Sequence, residues 1–518
     1  MPEHRAASLS DLQENDPVDV ELDGVKVLLV RRGDTVHALA ALCPHKGVPL
    51  SKGVVDAGPD GGGRIVCGIH RAAFDLATGA VVKPPACESL ACYDVRLDGD
   101  DVFVTVDDRE PHPLPEMARG GGSDEHFVVI GAGAAGWRAA EALRREGFEG
   151  RVTVVTDESA LPYDRTDLSK GYIKADEQPD DPVIRRPRAF REHDIEVVQA
   201  HVTALDTEAR TVSLRNGETL TYSKLLIATG SDARRLDVAG AGLDGIHVIR
   251  TLADAKRLRS DLAGMRRKGR GNIVIVGGGF IGLEAASALC GKEGVDVTVV
   301  LADEKPFAEL FGEAFADRLK GEHEAAGVSF RTSTKVTGFS GDGRVERVDT
   351  DGDPIPADLV VVAIGAKPRT DWLPFERDGD GGIAVDEHFA VRGASDVYAA
   401  GDIARVPTRW GDVRIEHWRF AQETGELAAR NMMGTPAPYD GTPFFWSMQQ
   451  IEGSYTYTGH ASGFDAIEGG VEEKDFAAAY VKDGKVQAVL AHGVDDEVTA
   501  LEPRMHGRGP LEVGAVKV

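Results

Sequence analysis

The sequence predicts a multidomain chain: a small all-β domain, two tandem α/β units built on parallel sheets, and a C-terminal α+β domain. Three observations predict it. Short strand-like runs separated by Gly- and Asp-rich turns fill the first 107 residues. From residue 125, apolar runs alternate with helical stretches in βαβ order. One strand-turn-helix pattern with three glycines then occurs twice.

In the first region, Val25-Lys-Val-Leu-Leu-Val-Arg, Asp94-Val-Arg-Leu and Val102-Phe-Val-Thr-Val read as strands. Two short motifs sit where strands give way to loops: Cys43-Pro44-His45 and, after twenty-one intervening residues, Cys67-Gly68-Ile69-His70. Two thiolates and two imidazoles in this arrangement can bind zinc or a [2Fe–2S] cluster. Zinc fingers usually pair like with like, whereas here each loop supplies one Cys and one His. A two-iron cluster with both cysteines on one iron and both histidines on the other accounts for that mixing. Residues 108–124, with Pro111, Pro113, Pro115 and a Gly-Gly-Gly-Ser run, have linker composition, part stiff and part flexible.

The repeated pattern is Phe127-Val-Val-Ile-Gly131-Ala-Gly133-Ala-Ala-Gly136 and Asn272-Ile-Val-Ile-Val-Gly277-Gly278-Gly279-Phe-Ile-Gly282. In such a turn the first glycine makes the bend, the second lets the backbone approach a pyrophosphate, and the third packs helix on strand. The helix N-terminus offers free N–H groups to phosphates. Each copy is followed by a second strand ending at an acid, Asp157 or Asp303, twenty-one residues after its last glycine. A carboxylate there can bind a ribose hydroxyl. Two matches with one offset indicate two dinucleotides. The last stretch returns to strands such as Ser454-Tyr-Thr-Tyr-Thr and Lys485-Val-Gln-Ala-Val-Leu.

Composition narrows the function. The net charge of -26 argues against nucleic acid or anionic membrane partners, which require clustered Lys and Arg. No apolar run approaches the ~20 residues of a membrane helix, and the N-terminus lacks a secretory h-region, so a cytoplasmic location is expected. Five cysteines in 518 residues do not suggest a disulfide scaffold.

The first region, with Cys43-Pro-His45-Lys-Gly-Val-Pro-Leu-Ser-Lys-Gly and Phe74-Asp-Leu-Ala-Thr-Gly, resembles the Rieske family. That resemblance implies Cys43, His45, Cys67 and His70 as cluster ligands. Quinol-oxidising Rieske proteins carry an extra cysteine in each loop; Val48 and Ile69 stand there instead, which implies the ferredoxin type, toward the lower end of about −150 to +300 mV. Arg71 departs from the family, which normally has Gly after the second histidine. Cys87 and Cys92 read as ordinary thiols.

The remainder resembles flavoproteins of the group containing oxygenase-coupled ferredoxin reductases and apoptosis-inducing-factor-like proteins. The resemblance rests on Leu161-Pro-Tyr-Asp-Arg165-Thr-Asp-Leu-Ser-Lys170, Leu225-Leu-Ile-Ala-Thr-Gly230, Val360-Val-Val-Ala-Ile-Gly365, Val397-Tyr-Ala-Ala-Gly401-Asp402, Glu416-His417-Trp418 and Phe444-Phe-Trp446-Ser. It implies a Rieske domain at 1–107, a linker at 108–124, and an FAD-binding domain at 125–250 and 370–434. It also implies an NAD-binding domain at 251–369 and a C-terminal reductase-type domain at 435–518. FAD is then expected at Gly131, Gly133, Gly136, Asp157, Arg165, Lys170, Val202, Arg250, Asp402, His417 and Trp446. Nicotinamide dinucleotide is expected at Gly277, Gly279, Gly282, Glu284, Asp303 and Gly365. No arginine follows Asp303 closely, so a 2′-phosphate meets repulsion and NADH is favoured over NADPH.

Lys170 and Glu284 match a pair at the flavin-nicotinamide contact of relatives, with either a part in hydride transfer or a plain ion-pair role. No Cys pair stands beside the flavin, and Cys290 is alone. The resulting expectation is a monomeric or homodimeric NADH-dependent reductase. It passes electrons through FAD to its own cluster and on to an unidentified protein or small-molecule acceptor, with the histidine iron as the exit. Two rivals remain: a flavin oxidase or peroxide-reducing enzyme with a regulatory Rieske domain, and a slow-turnover redox sensor.

Overall fold

A computed structural model describes residues 3–58, 61–160, 162–175, 179–184, 191–267, 269–449, 451, 453–494 and 498–514. Leu161, which opens one of the motifs above, lies outside them.

Six antiparallel strands form the first sheet, in the order Glu3–Ser8, Asp101–Thr105, Cys92–Asp98, Thr35–Ala40, Val25–Arg32 and Val18–Leu22. Val25–Arg32 is covered on both faces, so Val27, Leu28, Leu29 and Val30 are all fully buried. That explains a continuous apolar run where a half-exposed strand would alternate. Between Thr35–Ala40 and Cys92–Asp98 the chain inserts a four-stranded meander, Val54–Asp56, Arg64–Val66, Ala73–Asp75 and Val81–Lys83. The two Cys-His loops flank its first two strands.

The glycine patterns open two parallel five-stranded sheets. The first runs Ile195–Gln199, Arg151–Thr156, His126–Ile130, Lys224–Ile227, Val397–Ala399. The second runs Val328–Arg331, Val295–Val300, Gly271–Val276, Leu359–Val362, Ile246–His247. The glycine-motif strand is central in both, so each dinucleotide site lies at the carboxyl ends of the strands. Ile246–His247 joins the second sheet although it precedes residue 251, where the resemblance places the boundary. Helix Trp418–Met432 crosses helix Ala134–Arg145 so closely that a Cβ on Gly425 would lie under 3.0 Å from the Ala135 backbone.

The C-terminal sheet is antiparallel, in the order Phe444–Gln449, Gly453–Gly459, Lys485–His492, Phe476–Lys482, Ala466–Gly469, with helix Leu501–Met505 beside it. Among the described residues no helix is long and apolar enough to cross a membrane.

Residues 108–124 carry no helix or strand, as their composition predicts, but they are fastened at both ends. Pro111 and Pro113 carbonyls accept from Ala91 and Ser89 N–H, and His112 Nε2 lies 2.9 Å from the Leu42 carbonyl oxygen. Ala118 and Gly121 then donate to Arg144 and Glu149 carbonyls of the first α/β unit. The expectation of a partly flexible tether is corrected: backbone hydrogen bonds strap the connector to the bodies on either side.

Candidate functional site

The three glycines of each turn separate by what surrounds them. Gly131 and Gly277 have φ of 107° and 112°, in the region that favours glycine, and a Cβ on either would lie under 3.0 Å from the carbonyl of Ala228 or Ala363. A Cβ on Gly136 or Gly282 would strike the carbonyl of the first glycine in its own turn. At Gly133 and Gly279 a Cβ would meet nothing within 4 Å. These open positions cap helices Ala134–Arg145 and Phe280–Leu289, whose first N–H groups face the same space. The residues therefore fit a pyrophosphate in each copy.

Around the first turn, a cleft is lined by Ala132, Gly133, Thr156, Glu158, Tyr163 and Arg165. Asp157 follows strand Arg151–Thr156 directly, with Arg369 Nη2 2.5 Å away and His201 Nδ1 at 3.6 Å. Arg165 Nη1 donates to the Tyr163 hydroxyl and the Arg250 carbonyl at 2.8 and 2.9 Å, and Arg250 Nη2 donates to Asp402 at 2.7 Å. Three distant segments thus meet in one cationic rim. Val202 begins a small separate sheet, opposite Leu214, and is packed into the first core. Gly365 has φ of 96° and accepts from the Arg234 N–H.

At the second turn Asp303 is exposed, three residues beyond strand Val295–Val300. The nearest following cation, Lys305, pairs with Glu313 at 2.6 Å and Asp317 at 2.9 Å.

Between the two units lies a buried polar cluster. Lys170 Nζ is 3.0 Å from Glu284 Oε2 and donates to the Thr166 carbonyl at 2.7 Å. Glu284 also accepts from Ser169 Oγ at 2.6 Å and Ser447 Oγ at 2.9 Å. With every carboxylate oxygen engaged, the pair is held in one geometry. Burial, with Lys170 nearby, pushes the His417 imidazole down to about 3, so the ring is neutral. Its Nε2 accepts the Trp446 N–H at 3.4 Å, which leaves the proton on Nδ1, a buried atom without a partner among the described residues. Such an orphan donor fits a site that takes a polar ligand.

The two Cys-His loops have one backbone design. Cys43 N–H donates to Val48 and Cys67 N–H to Ala72; Gly47 donates back to Cys43 and Arg71 back to Cys67. The loops bring like atoms together. The Cys43 thiol hydrogen-bonds Cys67, and that bond, stronger than the opposing effect of burial, holds Cys67 down to about 7. His45 and His70 Nδ1 atoms are 3.1 Å apart, close to what two metal–nitrogen bonds of roughly 2.0–2.1 Å require. Burial pushes His45 down to about 4 and His70 well below its usual range, which suits neutral ligands. Among the described residues no three His, Cys, Asp or Glu side chains gather tightly enough for a single ion. Donors arriving as one Cys pair and one His pair fit a two-metal cluster.

The cluster domain is docked. The His70 ring, 4% exposed, lies 4.4 Å from Trp446, and Trp446 lies 4.7 Å from His417 in a T-shaped pair. His45 is 6.4 Å from Trp446. The His70 side of the pair therefore faces the flavoprotein half, while His45 is only part-buried. Lys46 pairs with Asp164 at 3.4 Å, Lys83 with Glu502 at 3.2 Å, and Arg138 donates to the Ala86 carbonyl at 3.4 Å. Cys87 is buried against the core of the first α/β unit and donates to the Pro85 carbonyl; Cys92 donates to the Ala77 carbonyl.

Sequence reasoning gave no role to Ser169 and Ser447, although both stand inside quoted motifs, and it missed Arg369, four residues after Gly365. It also missed Glu502, whose neighbours carry no motif.

Comparisons with known proteins follow these divisions. Residues 125–425 match the family described as pyridine nucleotide-disulphide oxidoreductase, and residues 3–94 match the Rieske [2Fe-2S] domain. Apoptosis-inducing factor 3 of Homo sapiens is 35% identical over 95% of this chain and 82% of its own length. A ferredoxin–NAD(P)(+) reductase of Sphingomonas sp is 35% identical over 76% of this chain and 95% of its own. The crystal structure of the covalent putidaredoxin reductase-putidaredoxin complex superposes with a TM-score of 0.70 at 29% identity, covering 76% of this chain and 96% of that one.

Proposed function

Because the chain belongs to the pyridine nucleotide-disulphide oxidoreductase family and carries a Rieske [2Fe-2S] domain at its front, we propose that it is an NADH-dependent reductase delivering electrons through its own cluster to an external one-electron acceptor. When bound, FAD accepts a hydride and can release its electrons singly, and a [2Fe–2S] cluster carries one electron at a time. Each NADH then supplies two electrons for two acceptor molecules, with one proton left to solvent.

The chain's residues divide the work. Gly133 and Gly279 leave room for the two pyrophosphates, and Asp303 takes the NADH ribose. Lys305, held by Glu313 and Asp317, is not at liberty to receive a 2′-phosphate, and Glu304 adds repulsion. The anchored Lys170–Glu284 pair aligns nicotinamide and flavin. Cys43, Cys67, His45 and His70 hold the cluster. The observation that carries this reading is the run of contacts from His70 to Trp446 to His417, which favours an electron path over a regulatory cluster.

The test is anaerobic mixing of the intact chain with NADH. The wild type should reduce its flavin and then its cluster, giving the low-average-g signal of a histidine-ligated centre. Cys43→Ser should keep flavin reduction and lose delivery to a one-electron acceptor protein. Undiminished delivery by Cys43→Ser would place the cluster off the path.

A further inference from the structure

The loop around Cys67 repeats the backbone hydrogen bonds of the loop around Cys43, but it carries an arginine where the other has a glycine. Four residues after each cysteine the backbone turns left-handed, with φ of 68° at Gly47 and 63° at Arg71. Glycine adopts that conformation freely; arginine stores strain there, so its side chain must return something. Gly47 faces solvent, with open space where a Cβ would stand. Arg71 is fully buried and points away from its own domain. Its Nη1 donates to the Gly68 carbonyl, inside the cluster loop, and to Thr499 Oγ1 of the C-terminal domain. Its guanidinium lies 5.0 Å from the Phe444 ring, which Arg419 approaches to 5.2 Å.

Phe444 and Trp446 are on one face of strand Phe444–Gln449, because side chains alternate along a strand. Consecutive residues of the cluster loop thus engage successive same-face positions: Arg71 on Phe444, His70 on Trp446. Fixing the first contact fixes the second.

We propose that Arg71 is a positioning residue, a latch that locks the cluster loop onto the C-terminal sheet so that His70 stays against Trp446 throughout turnover. The cluster is then a resident centre rather than a domain that swings between flavin and acceptor. Arg71 also places a buried cation next to a histidine ligand, which favours the reduced, more negative state of the centre. This inference rests on the proposed flavin-to-cluster route, one electron passing at each step.

The experiment uses the loaded full-length chain. Arg71→Gly suits the left-handed backbone and should fold. Thr499→Val removes the latch's acceptor, and with it the Thr499 hydroxyl's own bond to the Gly68 carbonyl at 3.5 Å, while leaving the cluster domain's sequence unchanged. Both should slow flavin-to-cluster transfer by about tenfold to a hundredfold, as small displacements do in positioned reactions. Both should also raise amide hydrogen exchange across 444–446 and 67–72, while NADH-to-flavin transfer is unchanged. The cluster midpoint should fall in Arg71→Gly, hold in Thr499→Val, and be restored by Arg71→Lys. Wild-type transfer rates and exchange in both Arg71→Gly and Thr499→Val would overturn the latch. Looser exchange in these variants, in a chain whose wild type shows no flavin-to-cluster transfer, would keep the latch and overturn the route.

Discussion

Two glycines three residues apart should fail in opposite ways when each becomes alanine. At Gly279 a Cβ meets nothing within 4 Å, and φ is −82°, so the folded chain accommodates it. The cost is that of a poorer N-cap, about half a kcal/mol. The methyl group fills the space where the pyrophosphate approaches, displacing charged hydrogen bonds of about 1.5–3 kcal/mol each. NADH binding should weaken roughly 10- to 150-fold, since 1.4 kcal/mol is about tenfold. At Gly282 the Cβ strikes the Gly277 backbone carbonyl and comes within 3.5 Å of Ala363 Cβ, and backbone cannot swing aside. Overpacking at the upper end of about 1–3 kcal/mol, less about 1 kcal/mol of helix propensity, leaves a net loss near 2 kcal/mol. That corresponds to a Tm lower by roughly 4–8 °C for a unit of this size. Thermal unfolding with and without NADH, and NADH titration of the flavin spectrum, read both effects. Equal destabilisation by the two substitutions, or unchanged NADH affinity in Gly279→Ala, would refute the division of labour.

Three further outcomes follow from the same geometry. Asp303→Ala should narrow the preference for NADH over NADPH by ~1–3 kcal/mol, the cost of unpaired hydrogen-bonding groups, measured as the ratio of flavin reduction rates; equal wild-type rates would refute it. Glu502→Gln should destabilise the chain by about 3 kcal/mol, the lower end for breaking a buried pair, because Glu423 still holds Arg419 at 3.0 Å. Burial alone would raise the Glu502 carboxyl, but Arg419 and Lys83 outweigh it and hold it well below the usual carboxylate range. Its contribution is therefore present above the unfolded carboxylate pKa of about 4.3 and lost as pH falls below that, so Glu502→Gln should show a shallower acid limb in stability against pH. Trp446→Leu should slow flavin-to-cluster transfer more than it slows NADH-to-flavin transfer; equal slowing of both phases, or an unchanged second phase, would remove Trp446 from the path.

The legible features were local ones. Glycine spacing, the acid twenty-one residues later and the mixed Cys-His loops each depend on a few neighbouring residues whose backbone roles are fixed by sterics and ligand chemistry. The strand at Val25–Arg32 was readable because burial on both faces writes a continuous apolar run. The connector was misread for a physical reason: Pro and Gly reveal an absence of helix and strand, but not where the backbone groups of an irregular segment find their partners. Here Pro111 and Pro113 spend their carbonyls on the cluster domain.

What no local pattern could reveal is the docking, because its contacts join residues hundreds of positions apart. Arg71 and Thr499 are 428 residues apart, and Lys83 and Glu502 are 419. The sequence flagged Arg71 only as a departure, a side chain where glycine is the easier choice. The structure gives that departure a direction, toward Phe444 and Thr499. A tethered cluster domain would raise local concentration to roughly millimolar and would still have to find its partner at each transfer. A strapped and latched one has no encounter step. On the proposed route electrons enter on the His70 side, and an outside acceptor would approach where Trp446 does not already stand.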